Sequence, residues 1–404
     1  MRSDLISVGS FECDNEDINR LHDVILRSQR AALMSYPFDC PQRDERLGWL
    51  GDAHIADLVC LYNMDMRKYY RKWFEDIHLG IDTDTGLVPH IAPRVEFEHA
   101  VDWSAGYAII LWDYYLFYGD IEILNKYYSD IENYYKALVK DGKILPVSRY
   151  GDWMSLEEGW TRGDPRSCTT LYAYYVLKLL VEMSAAAGRE ENRVKYSEEI
   201  EEYKEIIVKE FFNEQECLFD DGSQFSQSFA IKLGLIPDSG KSKACAKLAE
   251  NIKNNNYHLK TGILGSKYVM EVLSQNGYED IAMKLILQPD YPGWLNLIEG
   301  KTTVSEKWDG SMSQNHCMFG SVDAVFYTML GGINVGKEII IKPYFAEQVN
   351  HVKCSLETVK GRVAVEWERI NSKIKLTVTC PQDTKLNLGV TDMLLDSGEH
   401  IFEI

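Results

Sequence analysis

Two acidic stretches far apart in the chain carry the residue types that general acid–base chemistry needs. The first is residues 38–53, FDCPQRDERLGWLGDA, where Asp39, Asp44, Glu45 and Asp52 gather with Arg43, Arg46 and Trp49 ahead of a helix. Four acids at this spacing repel one another. Unless all are solvated, the repulsion lifts at least one carboxyl pKa toward neutrality, as a general acid requires. The plainer reading is a solvated loop with local arginine pairs. The second stretch is residues 291–320, YPGWLNLIEGKTTVSEKWDGSMSQNHCMFG, with Glu299, Glu306, Trp308, Asp309, Asn315 and His316. In a toroidal fold such distant loops converge on one funnel, so that one cluster can supply an acid and the other a base. His316 taken singly reads as a hydrogen-bonded packing residue.

Between these lie Asp102 beside Trp103 and Gly151-Asp152-Trp153, each an Asp next to a Trp before helical sequence. Such pairs suit a sugar pocket, where an aromatic face packs on the C–H surface of the ring and a carboxylate takes its hydroxyls. They fit equally well a helix cap followed by a core anchor. Residues 82–86, DTDTG, resemble the start of a calcium loop, but Pro93 stands where the twelfth-position Glu belongs, so a surface turn is expected and no metal. No CxxC, HExxH, P-loop, GxSxG or GxGxxG motif occurs, and with them go the zinc-protease, NTPase, serine-hydrolase and dinucleotide readings.

The elements that must position these residues are mostly helices. Ile18, Leu21, Ile25 and Ala32 open a helical pattern behind a possible N-cap at Asn15. Further helical stretches are expected near 52–64, 67–79, 104–118, 120–139, 167–187, 192–212, 225–233, 241–253, 265–276, 278–287 and 316–330. Residues 104–118 are apolar on nearly all sides, whereas 192–212 carry dense charge on one face, so the first belongs inside and the second outside. Alternating inner and outer helices are what an (α/α)6 toroid requires, although a helical solenoid would give a similar pattern. After Gly331-Gly332 come short β-branched alternating runs, EIIIKPYF, HVKCSLETV, GRVAVEWERI, KIKLTVTC, KLNLGV and HIFEI, which read as an antiparallel β-sandwich. The expected division is residues 1–335 for the catalytic toroid and 336–404 for the sandwich.

Composition narrows the partners. Lys and Arg total 43 against 62 Asp and Glu, a formal charge of −19, with no basic cluster to track a phosphate backbone, so nucleic acid is not expected. No apolar run approaches the roughly 18–20 residues that span a bilayer. The amino terminus, MRSDLISVGSFECDNED, lacks an apolar signal region, and an odd count of nine Cys makes no disulfide framework, so a cytoplasmic home is expected. Nine Trp, 24 Tyr and 14 Phe, many of them near acids, are the mixture that a concave sugar site uses, though core packing accounts for most of the rings.

Taken in order, DCPQRDERLGWLGDA, GLVPHIAP, YGDWMS, TGILGSKYVMEVL, DYPGWL, TTVSEKWDG and NHCMFGSV resemble the catalytic region of the glycoside hydrolase family 78 α-L-rhamnosidases, over about residues 10–404. The resemblance implies an (α/α)6 toroid followed by a β-sandwich, cleavage of terminal α-L-rhamnosides with anomeric inversion, and no organic cofactor. It implies that Glu45 is the general acid and Glu306 the base. Asp39, Arg43 and Asp52 then match positions binding rhamnose hydroxyls, Trp49 and Trp153 match pocket walls, and His316 matches the family's NH motif near the site. Asp102, Trp103, Asp152 and Trp308 complete the expected substrate-binding set. The chain departs from the family pattern at Ser305, where many members carry Trp, in VDWSAGY at 101–107, and in starting almost directly at the first helix. Two alternatives stay open: a toroid hydrolase for another sugar, and a sugar-binding protein that has lost turnover.

Overall fold

The computed structural model describes residues 3–93, 97–147, 149–157, 164–389 and 392–404. Met1 and Arg2 of the expected leaderless terminus, and Val390 of KLNLGV, lie outside the described residues. In chain order the elements are β1 (Gly9–Cys13), α1 (Glu16–Ala32), α2 (Leu50–Asn63), α3 (Arg67–Gly80), α4 (Val101–Ser104), α5 (Gly106–Tyr118), α6 (Ile121–Leu138), α7 (Pro165–Ala186) and α8 (Glu190–Phe211). The ribbon β2 (Phe212–Asn213) and β3 (Leu218–Phe219) leads to α9 (Gln224–Leu233), α10 (Asp238–Asn254), α11 (Ile263–Gln275), α12 (Glu279–Ile286) and α13 (Trp294–Leu297). An irregular inner segment over residues 318–330 ends the helical part, and the strands of two sheets follow among the described residues.

Helix α2 packs on α5, α5 on α7, α7 on α9, α9 on α11, α11 on the 318–330 segment, and that segment back on α2, which closes an inner ring of six. The remaining long helices lie outside it. Composition assigns the layers: α5 buries residues on nearly every face, whereas α8 buries only Tyr196, Tyr203, Ile207 and Phe211. The N-cap expected at Asn15 is present, and Asp164 and Ser223 cap two further helices. Asn15 accepts from the amides of Asp17 and Ile18, Asp164 from Arg166 with Pro165 in the first turn, and Ser223 from Ser226. The chain is therefore mainly α, an (α/α)6 toroid followed by β-strands.

Two details differ from the sequence expectation. The stretch expected as one helix at 316–330 is instead a 3-10 turn (Met318–Val322), one α-helical turn (Asp323–Val325) and a π-helical stretch (Phe326–Leu330). The β-layer is also larger and not purely antiparallel. One sheet has the order β1-β6-β7-β8-β11, with β6 (His351–Thr358), β7 (Gly361–Ile370), β8 (Lys373–Cys380) and β11 (Gly398–Glu403). The other runs β10-β9-β5-β4, from β10 (Asp392–Leu395) and β9 (Thr384–Asn387) to β5 (Ile339–Ile341) and β4 (Ile333–Val335), and pairs β5 with β9 in parallel. Strand β1, from before the first helix, pairs with β6, Phe11 opposite Cys354. The expected boundary at 335/336 falls between β4 and β5 of one sheet. Trp367 of β7 docks this layer on the toroid, its indole N–H donating to the Leu330 carbonyl at 2.9 Å.

Candidate active site

The loop over residues 38–49 and the first turn of α2 build one half of a pocket. Asp39 closes the loop on itself: its amide donates to the Leu47 carbonyl at 3.1 Å, and its Oδ1 accepts the Leu47 amide at 2.9 Å. Trp49, just ahead of α2, donates its indole N–H to Glu45 Oε1 at 3.0 Å and stacks on His90, ring centres 5.1 Å apart. Asp52 enters from the first turn of α2. Next to it Gly51 has no choice of side chain, because a Cβ there would sit 2.2 Å from the Trp103 indole.

The other half comes from the far end of the chain. The Glu306 amide donates to the Ser313 carbonyl at 2.9 Å, and Ser313 returns its own amide to Glu306 Oε2 at 3.1 Å, so the loop between them is pinched at its base. His316 Nε2 lies 2.9 Å from Asp52 Oδ1, and its Nδ1 lies 3.8 Å from Glu306 Oε2. Arg43 spans the gap, donating to Glu45 Oε2 at 2.5 Å and to Glu306 Oε2 at 3.0 Å. Two carboxyl clusters separated by more than 250 positions thus share one guanidinium.

Together these residues line a pocket of about 250 Å³, just under the roughly 300–1,000 Å³ of drug-sized ligand sites and so of a size for a single small ring. Its lining comprises Asp39, Arg43, Glu45, Trp49, Asp52, Trp103, Tyr150, Trp153, Glu306, Met312 and His316. Asp39, Asp52, Glu306 and His316 are buried at its floor, while Arg43, Glu45, Trp49, Tyr150 and Trp153 are half-buried. Burial, then the like charge of Asp52, pushes the Asp39 carboxyl up to about 6. His316 goes the other way from a buried histidine. Burial opposes its charge, but the bond to Asp52 and the charges of Asp52, Glu306 and Asp39 outweigh it and raise its pKa above the ordinary value.

Three expected substrate-binding residues are not brought into the lining. Asp102 is fully buried, and its Oδ2 accepts the Gly151 amide at 2.6 Å. Asp152 accepts the amides of Gly262 and Gly265 at 2.8 and 2.9 Å and so caps α11, while burial pushes its carboxyl up to about 7 against those bonds. Trp308 is a core anchor: its indole donates to the Thr261 carbonyl at 2.9 Å and its ring packs 4.2 Å from Phe319. They hold the pocket wall from behind. Gly262 serves the same wall, since a Cβ there would meet the Trp153 carbonyl at 2.0 Å. Two lining residues had been missed. Tyr150, 4.6 Å from Trp103 between ring centres, was within the YGDWMS run, whereas nothing in the sequence singled out Met312. Ser305, the departure beside Glu306, is buried and accepts Lys301 Nζ at 2.6 Å.

Asp39, Cys40 and His316 place possible metal-ligand atoms within 4.8 Å of one another. The set suits an ion poorly. The Cys40 thiol already donates to Asp39 Oδ2, His316 Nε2 is engaged by Asp52, and burial followed by Asp39 pushes the thiol up to about 12, so it holds its proton where a thiolate would be required.

A double ring of helices with an acidic, aromatic-walled pocket assembled from its loops places the molecule among the six-hairpin glycosidase folds. Residues 7–330 match the bacterial alpha-L-rhamnosidase 6 hairpin glycosidase domain, and residues 336–399 match the bacterial alpha-L-rhamnosidase C-terminal domain. The chain belongs to the bacterial alpha-L-rhamnosidase family. An alpha-L-rhamnosidase of Formosa agariphila is 28% identical over 95% of this chain and 44% of its own length, and one of Streptomyces avermitilis is 26% identical over 96% and 39%. The structure of alpha-L-rhamnosidase from Dictyoglumus thermophilum superposes with a TM-score of 0.90 at 31% identity, over 95% of this chain and 46% of that one. The chain thus spans less than half the length of these relatives.

Proposed function

We propose that the chain is a glycoside hydrolase that removes terminal α-L-rhamnose residues with inversion, Glu45 as general acid and Glu306 as general base. The observation carrying this reading is Arg43, whose guanidinium contacts both carboxylates across the pocket. Because both contacts of 2.5 and 3.0 Å come from one planar group, the two oxygens lie no farther apart than about 8 Å. That bound puts both carboxyls within reach of one glycosidic bond, and the anomer released first tells the roughly 6.5–9.5 Å arrangement of an inverting pair from the roughly 5–5.5 Å of a retaining one. Glu306, buried and facing Arg43, the Ser313 amide and His316, is supported as the ionised partner that takes a proton from water. Glu45, nearer the opening, hands its proton to the glycosidic oxygen as the C1–O bond breaks, and water adds from the opposite face. In this reading the lining residues Asp39 and Asp52 accept sugar hydroxyls, Arg43 and His316 donate, and Trp49, Trp103, Tyr150 and Trp153 take the ring's C–H surfaces.

No metal or organic cofactor enters the scheme. No described helix is long and apolar enough to cross a membrane, and the nine free, buried cysteines favour a reducing, cytoplasmic compartment. Glu45→Gln and Glu306→Gln are each expected to lower kcat on an aryl α-L-rhamnoside by about 10²–10⁴ while the thermal transition stays cooperative. NMR of the first product formed is expected to show the β-anomer. Near-normal kcat in either variant refutes that residue's role, an initial α-anomer refutes inversion, and preferential turnover of another aryl glycoside refutes the glycone.

A further inference from the structure

The pocket lining changes character from floor to mouth. Four buried polar residues form the floor, but Met312 is 49% exposed, an apolar side chain left in solvent at the opening. Its backbone is also in the left-handed region, φ +61°, where a side chain larger than glycine's costs about 1 kcal/mol. The loop leaves little freedom to relax. It is pinched by the reciprocal Glu306 and Ser313 bonds, and Gln314 Nε2 donates to the Met312 carbonyl at 3.2 Å. Neither burial nor backbone preference accounts for methionine at this position, whereas contact with a ligand at the mouth would.

What sits there follows from the roles assigned above, on which this inference rests. The acid must touch the oxygen that leaves, so the leaving group lies beside Glu45 toward the opening, above the buried floor. A thioether offers no hydrogen-bond donor and only a weak acceptor, so it recognises little of a second sugar's hydroxyls. It is flexible and polarisable and packs well on aromatic rings. We propose that Met312 is the leaving-group contact of this pocket and selects rhamnosides whose first aglycone ring is aromatic over those joined to another sugar.

The test is kinetic, on the full chain with Met312→Gly and Met312→Gln. Glycine is at home at φ +61°, so Met312→Gly keeps the loop while removing the contact, and Met312→Gln keeps length while removing apolar character. With 2-naphthyl α-L-rhamnoside, both variants are expected to lose about three- to tenfold in kcat/KM, and with rhamnosyl-α-1,6-glucose less than about twofold. Inhibition by free L-rhamnose is expected to be unchanged in both, as the floor is untouched. Equal losses on the two substrates, no loss on the naphthyl substrate, or a parent chain that prefers the disaccharide would each overturn the role of Met312 and leave the rhamnosidase reading intact. A parent chain that cleaves neither substrate would instead remove that reading, and this inference with it.

Discussion

Gly51→Ala should damage the pocket out of proportion to the single methyl it adds. The new Cβ would lie 2.2 Å from Cε2 and Nε1 of Trp103 and 2.3 Å from Cδ2, the flat of the indole rather than a yielding side-chain tip. Relief requires the indole to retreat from 2.2 Å to an ordinary contact of about 3.4 Å, a displacement of roughly 1.2 Å. Trp103 is buried and backed by Tyr150, so the space open to it is the pocket it lines. Overpacking of this kind costs about 1–3 kcal/mol, hence a fall of about 1–4 °C in Tm for a chain of 404 residues. A wall moved by about 1 Å costs on the order of 10² in turnover. Calorimetric Tm and kcat/KM on an aryl rhamnoside, measured on the same preparation, give both quantities. Gly240→Ala in α10 is the matched control. Its nearest contact would be at 3.5 Å and its φ is ordinary, so a stabilisation of about 0.5 kcal/mol with unchanged kinetics is expected. If Gly51→Ala keeps its Tm within about 1 °C and its kcat/KM within about threefold, the reasoning that the α2 start is shaped around Trp103 is wrong.

Other expectations follow from particular contacts. Lys267→Met removes the buried ammonium that donates to the His54 carbonyl at 2.6 Å and to Asp57 Oδ1 at 3.0 Å, and should cost about 3–5 kcal/mol in denaturant unfolding because Asp57 is left buried without its cation. Asp152→Asn should lower Tm, since one of the Gly262 and Gly265 amides loses its acceptor, while L-rhamnose affinity measured by calorimetry stays within about threefold. A large loss of affinity at constant Tm would restore Asp152 to the sugar site. Asp39 carries a folded-state pKa of about 6 against 3.8 for an unperturbed carboxyl, so its proton is held more tightly in the folded chain. Its stabilising contribution is full below the unfolded value and is lost as pH rises through 6. Between pH 4 and 7 the Tm of the parent should therefore fall relative to that of Asp39→Asn, and a relative rise across that window would contradict the assignment.

Much of the architecture could be read from periodicity, because burial dictates it locally. Residues 104–118 and 192–212 differ so sharply in charge that inner and outer rings separate on sight, and they became α5 and α8 with ends shifted by about two residues. Strand β1 could not be read this way. It is five residues long, and its partner β6 lies more than 300 positions away, so no local pattern announces the pairing. The site divides similarly. The two acidic clusters were visible as residue types, but their meeting depends on ring closure. Asp102 and Asp152 were ambiguous between sugar contact and capping, and the caps they provide serve Gly151 and α11 rather than their own helices. Met312 was invisible, because its position comes from a loop pinched by Glu306 and Ser313, not from any periodic property.

Helix α2 links the pocket to the interior in a way that constrains both. It carries Asp52 to the floor against His316, and Asp57, more than one turn deeper, to Lys267 on α11. Beyond them Asp113 of α5 faces Asp57, and burial, then that neighbouring charge, raises its pKa strongly, so the pair resists carrying two negative charges there. Lys232 of α9, paired with Glu271 of α11, stands within electrostatic reach of the same group. Charges drawn from four inner helices thus meet along the ring axis, Asp57 and Lys267 buried and Asp113, Lys232 and Glu271 half-buried, each partner offsetting part of the other's desolvation. An apolar axis would pack more cheaply, but it would not fix how α2 is rotated and seated relative to α11. That seating decides whether Asp52 meets His316 and whether Gly51 meets Trp103, so the expensive interior is coupled to pocket geometry through one helix.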